Sequence, residues 1–336
     1  MKVRHVLAVA ALALAVAGCG DDSGHADSGG RHIGVVMKGL GNPFFVAMKQ
    51  GVLAAGHDLE ADVRLRAAIG LGYQDTAGQA SQLEALVAQG LDCYLVNPIN
   101  QSNLAQALSH IPRSTPIVNI DSPVGADDAR ALGIKISTYI GTDNEAAGKL
   151  AAAAMARLVR RGARVGVIGG VSGDITSAAR IDGFSAAARG HFDRLDPVSA
   201  DWEEGKAMLA ARSLLRSDPR IAGFFAANDQ MALGIARAVD DAGRHGHVAV
   251  VGVDGIRQAL KAIQRGEMSA TVSQYPYTIG SLGVEACVAA ASGQSLPAKV
   301  DAPIQVITKQ NVVRAEAKFP QPVEPFKSPF ADLLSR

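Results

Sequence analysis

Two aspartates and two asparagines stand at the ends of short apolar runs. Asp121 closes Ile117-Val-Asn-Ile and Asp254 closes Val250-Val-Gly-Val, while Asn97 closes Tyr94-Leu-Val and Asn228 follows Phe224-Phe-Ala-Ala. Carboxylates accept hydrogen bonds and amides both donate and accept, so this set suits a ligand rich in hydroxyl groups. Taken singly, each residue reads as the cap of a following helix. Matched positions in two halves of the chain argue instead for a shared site. Other chemistry is poorly supported. Gly170-Val-Ser172-Gly173 misses the Gly-x-Ser-x-Gly spacing of a nucleophile elbow. The glycine-rich stretch 166–173 has no Walker lysine and reads as a tight strand-to-helix turn. His245-Gly-His247 lies in a polar turn without acids at metal-ligand spacing. No catalytic residue, metal site or cofactor is therefore expected, and a binding role is preferred to an enzymatic one.

The elements that would position these residues alternate. Candidate strands are His32–Met37, Cys93–Asn97, Pro116–Ile120, Arg164–Ile168, Gly223–Ala226 and Val248–Val253. Amphipathic stretches lie between them: in 229–242, Ala232, Ile235, Ala236 and Val239 follow the i, i+3, i+4, i+7 spacing of one helix face. Such alternation marks parallel βαβ units. Ile33-Gly-Val-Val-Met37 and Val165-Gly-Val-Ile-Gly169 open the two halves alike. The predicted fold is therefore α/β, with two doubly wound, Rossmann-like lobes. Ligands of open parallel sheets sit outside the carboxyl ends of the strands, so two such lobes facing each other define a cleft.

The N-terminus sets the compartment. A short basic start, Met1-Lys-Val-Arg-His5, precedes an apolar run from Val6 to Ala17 that ends at Val16-Ala-Gly-Cys19. That run is too short to span a bilayer, which takes about 20 apolar residues, and reads as an export signal. Its small-small-Cys ending resembles the lipobox of bacterial lipoproteins, which implies a signal peptide over 1–18 and lipidation of Cys19. Residues 20–30 are polar and glycine-rich, so 19–30 is expected to be a flexible tether. A periplasmic or envelope location follows, lipid-anchored to the membrane. With 33 basic and 32 acidic residues, bulk charge gives no nucleic-acid footprint. Cys93 and Cys287 lie in separate apolar segments that nothing in the sequence brings together. Two free buried thiols are expected.

A series of motifs then carries a resemblance. Asn42-Pro-Phe44-Phe45 is followed in order by Asp121, Thr142-Asp143-Asn144, Ser177-Ala-Ala-Arg180-Ile-Asp-Gly183-Phe184, Ala200-Asp-Trp202, Ala227-Asn228-Asp229, Gly252-Val-Asp254-Gly255 and Gln274. Over about 31–310 the chain resembles the periplasmic sugar-binding proteins of ribose- and allose-binding type, the substrate-binding components of ABC importers.

The resemblance implies a type I periplasmic binding protein whose two lobes are joined by a three-strand hinge. The first lobe would hold 31–142 and 275–303, the second 143–274 and 304–310. The hinge would fall at Thr142-Asp143, Gln274-Tyr275 and Pro303-Ile304. Phe44 or Phe45 from one lobe and Trp202 from the other would cover the sugar faces. Asp121, Arg180 and Asp254 would bind hydroxyls by charge-assisted hydrogen bonds, with Asn42, Asn228 and Gln274 filling in. Lys38 and Trp202 match the allose binders and favour a hexose-like ligand. Ser122 stands where ribose binders carry arginine, which also admits a polyol or cyclitol. The implied partners are a small sugar or polyol and a membrane permease, or a chemoreceptor if the protein senses rather than transports; a monomer is expected. A repressor of this architecture would carry a helix-turn-helix where this chain has its export signal. Residues 311–336, with Pro320, Pro322, Pro325 and Pro329 among Phe319, Phe326 and Phe330, are expected to form an extended arm packed on the body.

Overall fold

The computed structural model describes residues 30–69 and 73–335, and residues from Arg31 onward form one compact unit. The signal segment, Cys19 and the tether up to residue 29 lie outside the described residues. In chain order the first elements are β1 (His32–Met37), α1 (Pro43–Asp58), β2 (Asp62–Ala67), α2 (Thr76–Val87), β3 (Cys93–Val96), α3 (Ala105–Ser109), β4 (Ile117–Ile120), α4 (Ala126–Ala131) and β5 (Thr138–Gly141). There follow α5 (Asn144–Leu158), β6 (Arg164–Gly169), α6 (Ile175–Ala188), β7 (Asp193–Arg194), β8 (Val198–Ser199), α7 (Glu204–Ser217), β9 (Ile221–Ala226), α8 (Asp229–Asp241), β10 (Ala249–Asp254), α9 (Arg257–Arg265) and β11 (Ala270–Ser273). The chain closes with α10 (Pro276–Ala291), β12 (Lys299–Asp301), β13 (Gln305–Thr308), α11 (Val312–Lys318) and α12 (Ala331–Leu334).

These strands form two sheets. The first has the order β12-β5-β4-β3-β1-β2 and is parallel throughout. The second runs β13-β11-β10-β9-β6-β7, with β8 also on β6 and only β13 antiparallel. The central strands are apolar at nearly every position because helices cover both faces. In β1, Val35 and Val36 point to opposite sides: Val35 packs with Met48 and Leu95, Val36 with Leu83 and Tyr94. Each such fully buried side chain contributes about 1.5–3 kcal/mol. The chain passes between sheets three times, through Thr142-Asp143 after β5, through Gln274-Tyr275 after β11, and through 302–304 between β12 and β13.

Helix starts lie at the carboxyl ends of strands, so capping residues rim the space between lobes. Asn42 accepts from the Phe44 amide, Asp174 from Ser177 and Asn228 from Met231. Helices α5 and α6 lie in close contact through glycines. A Cβ at Gly148 would fall 2.0 Å from the Arg180 carbonyl oxygen, so only glycine lets α6 approach closely enough to set Arg180 where it stands.

Two expectations are corrected. Cys93 and Cys287 are joined in a disulfide, with Cα atoms 5.6 Å apart, rather than being free thiols. The chain leaves the first lobe after β5 and returns at α10, which packs on β3; a sequence separation of 194 conceals that contact. The pairing is at home in an oxidising compartment. The second correction concerns the C-terminal segment. Its first part is the helix α11, which buries Val312 and Ala315 and packs on α9. Beyond it the chain is irregular as far as α12. The Phe319 ring lies under the Arg257 guanidinium at 4.5 Å, the Val323 amide donates to the Tyr275 hydroxyl at 3.3 Å, and Phe330 is fully buried.

Candidate functional site

A cleft lies between the carboxyl ends of the two sheets. The first lobe contributes Lys38, from the end of β1, and Asp121 and Ser122, from the end of β4. Lys38 is buried, and its Nζ donates to Ser122 Oγ at 2.5 Å and lies 3.6 Å from Asp121 Oδ2. Ser122 in turn donates to Asp121 Oδ2 at 3.3 Å, so the hydroxyl stands between cation and carboxylate. The Asp121 backbone adopts φ 61°, a left-handed conformation that costs a non-glycine residue of order 1 kcal/mol or more. The Tyr139 hydroxyl donates to the Asp121 carbonyl at 2.6 Å and holds that turn.

The second lobe contributes Arg180 from α6, Trp202 from the loop before α7, Asn228 from the start of α8 and Asp254 from the end of β10. Arg180 is buried and tied at three points. Its Nε donates to Asn144 Oδ1 at 2.9 Å, and Nη1 donates to the Ala227 carbonyl at 2.6 Å and to Asp254 Oδ1 at 3.4 Å. Gln274 Nε2 donates to the same Asp254 oxygen at 2.5 Å. Behind this pair stands Asp229, which accepts from the Gly255 and Ile256 amides at 2.7 and 3.0 Å and from Thr271 Oγ1 at 2.6 Å. It thereby fixes the turn that presents Asp254, whose φ of 135° is again in the region favoured by glycine. Burial pushes the Asp254 carboxyl above the ordinary carboxylate range, with Arg180 opposing and Asp229 reinforcing the shift; burial also raises Asp229.

Aromatic rings connect the walls. Phe44 and Phe45 meet edge-on at 5.3 Å, Phe45 meets Tyr73 at 6.1 Å, and Tyr73 stacks on Trp202 at 6.3 Å with an interplanar angle of 26°. Each cation also faces a ring: Lys38 Nζ lies 5.4 Å from Phe45, and the Arg180 guanidinium 5.7 Å from Trp202. Trp202 has φ 65° and needs Gly170 beside it, where a Cβ would come within 2.1 Å of the indole. Counted to its mouth, the space between the walls is about 360 Å3.

Lys38, Asn42, Phe44, Phe45, Asp121, Ser122, Arg180, Trp202, Asn228 and Asp254 all line this space. Gln274 stands behind Asp254 instead of on the wall. Thr142, Asp143, Tyr275, Pro303 and Ile304 lie outside the lining, at the passages between sheets. Asn97, matched to Asn228 by sequence, does not line the cleft; its amide is buried against Met48 Sδ at 3.2 Å. Tyr73, Asp174 and Thr176 line the cleft without having been singled out. Asp174 was legible as a helix cap, whereas the segment around Tyr73 has no periodic pattern. Among the described residues no group of His, Cys, Asp and Glu is placed to hold a metal ion.

Residues 33–295 match the family profile described as periplasmic binding protein domain. This chain belongs to the periplasmic binding protein family. Among its relatives, the ribose import binding protein of Bacillus subtilis is 33% identical over 83% of this chain and 87% of its own length. The D-allose-binding periplasmic protein of Escherichia coli is also 33% identical, over 78% of this chain and 86% of its own. The fold agrees with that of a solved periplasmic solute-binding protein of an ABC transporter from Actinobacillus succinogenes with bound D-allose: TM-score 0.78, 28% identity, covering 84% of this chain and 99% of that one. As a periplasmic binding protein of ribose and allose type, the chain has the two-lobed type I architecture and belongs to the periplasm or cell envelope.

Proposed function

We propose that this protein is the solute-binding component of an ABC importer and takes one monosaccharide, of ribose or allose kind, into the cleft between its lobes. The observation that carries this reading is the pairing of like chemistry on both walls. Each lobe presents one carboxylate at a strained strand end, one cation beside it and aromatic surface, from Phe44, Phe45 and Tyr73 on the first and Trp202 on the second. A sugar offers hydroxyls that donate to carboxylates and accept from cations, and apolar faces that suit aromatic rings. Lys38, Asn42, Asp121, Ser122, Arg180, Asn228 and Asp254 are assigned the hydroxyls, Phe44, Phe45 and Trp202 the apolar faces, and Gln274 the support of Asp254.

Entry requires the walls to part, because the groups that would meet the ligand, Lys38, Arg180, Asn228 and Asp254 among them, are buried. The passages at Thr142-Asp143, Gln274-Tyr275 and Pro303-Ile304 are assigned as the hinge. Ligand bound to both walls favours the closed state, and a permease that recognises this shape receives only loaded protein. Lipidation of Cys19 would hold the protein at the membrane beside that permease. The test is a thermal-shift screen of purified protein against pentoses, hexoses, polyols and inositols. A ligand at about 1,000 times its Kd adds about 4 kcal/mol, which raises Tm by roughly 6 °C for a folded body of about 300 residues. If no member of the panel raises Tm, the assignment falls.

A further inference from the structure

The aromatic ring that faces Trp202 from the first lobe is Tyr73, not Phe44 or Phe45. Tyr73 stacks on the indole at 6.3 Å, and its edge meets Phe45 at 6.1 Å. It is held on two further sides. Its hydroxyl accepts from Asn42 Nδ2 at 3.1 Å, and Asn42 is itself fixed by capping the Phe44 amide. The Lys38 ammonium lies 5.8 Å from the ring. Burial raises the Tyr73 phenol above its ordinary range, and both Asp121 and Asp254 reinforce that shift, which places its hydroxyl in the field of the two ligand-facing carboxylates. Tyr73 therefore occupies part of the space between the walls and borders the larger recess outside, whose lining also includes Asn42 and Trp202.

A ligand reaching both aspartates must fit beside this ring. The ring cannot swing aside freely, since doing so breaks the Asn42 contact and the stack on Trp202. We propose that Tyr73 sets the size limit of the cleft, so that five-carbon sugars and sugar alcohols bind in preference to hexoses. The inference rests on the reading of the cleft as a monosaccharide site, narrows it by carbon number and extends it to sugar alcohols of that length. It runs against the hexose preference drawn from Lys38 and Trp202, because those two residues shape the charge and one face of the cleft whereas Tyr73 limits its volume.

The experiment is calorimetric titration of the purified full chain with D-ribose, xylitol and D-allose, repeated for Tyr73→Asn, Tyr73→Leu and Tyr73→Phe, with folding checked by circular dichroism and Tm. The wild type is expected to bind the better five-carbon ligand at least 10-fold more tightly than D-allose. Tyr73→Asn and Tyr73→Leu should each reduce that ratio by 10-fold or more. Tyr73→Phe keeps the ring, so it should preserve the ratio within about twofold while weakening all ligands a few-fold. The size proposal alone is overturned if the wild type prefers D-allose, or if the ratio is unchanged in both folded variants that remove the ring. If the wild type binds none of the three and none of the wider thermal-shift panel, the monosaccharide reading fails and takes the proposal with it.

Discussion

The two walls of the cleft carry similar chemistry but hold it differently. On the second lobe, Asp254 and Arg180 are both buried and held from several sides: Asn144, the Ala227 carbonyl and Gln274 contact them directly, and Asp229 fixes the turn behind Asp254. On the first lobe, Asp121 is partly exposed and is paired with a lysine whose ammonium has, among the described residues, Ser122 as its one hydrogen-bond acceptor and otherwise lies against the Phe45 and Tyr73 rings. Arginine presents a planar fork that keeps its geometry, whereas lysine offers a point charge. One wall is thus assembled before ligand arrives, and the other adjusts to it. The rigid wall is accordingly expected to supply most of the affinity, and the adjustable wall, with Tyr73 at its edge, to decide among ligands.

The comparison breaks if the walls prove equivalent. Asp254→Ala leaves Arg180 buried without its carboxylate and removes a ligand acceptor. Truncating one partner of such a buried pair costs about 2–5 kcal/mol, so ligand affinity should fall roughly 1,000-fold by calorimetry. Asp121→Ala, on the more exposed wall, should lose about 100-fold or less. Equal losses, or a larger loss at Asp121, would refute the distinction.

A milder effect is expected behind Trp202. Gly170→Ala places a methyl group against the indole, and overpacking of this kind costs about 1–3 kcal/mol. Tm should drop by several degrees, and affinity by roughly 10-fold for every ligand alike, because the displaced ring covers a sugar face without reading its length. A change in ligand preference would instead assign size selection to Trp202.

A separate effect, on stability rather than on ligand affinity, is a dependence on pH. Since the Asp254 carboxyl is raised in the folded state, the folded protein keeps this proton after the unfolded chain has lost it. Stability from this group is therefore greatest on the acid side. It declines as pH rises from the ordinary carboxylate value, about 4, through the raised one, by at most about 1.4 kcal/mol per pH unit. Tm measured from pH 4.5 to 8 should fall more steeply for the wild type than for Asp254→Asn. Parallel curves would mean that Arg180 and Gln274 keep Asp254 ionised throughout, and the second wall would be charged before ligand arrives.

Much of this arrangement was legible from residue patterns. Continuous apolar runs marked β1, β3, β4, β6, β9 and β10 because strands covered on both faces have no polar alternation to blur them. The edge strand β2, Asp62-Val-Arg-Leu-Arg-Ala67, alternates charges with apolar residues, and β7 and β8 have two residues each, so these were missed. Asp121 and Asp254 stood out because they repeat at strand ends. Asn97 shows the limit of that logic, since the same strand-end position turned its amide into the core. Asp229 reads only as the first residue of a helix; its support of Asp254 depends on a loop 26 residues away. Tyr73 lies between elements, where no period applies, and the Cys93–Cys287 pair depends on which lobe the chain re-enters.

That disulfide gives the molecule a connectivity that its two lobes conceal. The chain from Cys93 to Cys287 is a covalently closed ring, and β6 through β11, nearly all of the second lobe, lie within it. The ring is closed entirely on the first lobe's side, by β3 and α10. A single backbone cut anywhere between the two cysteines opens the ring without separating the protein into two molecules.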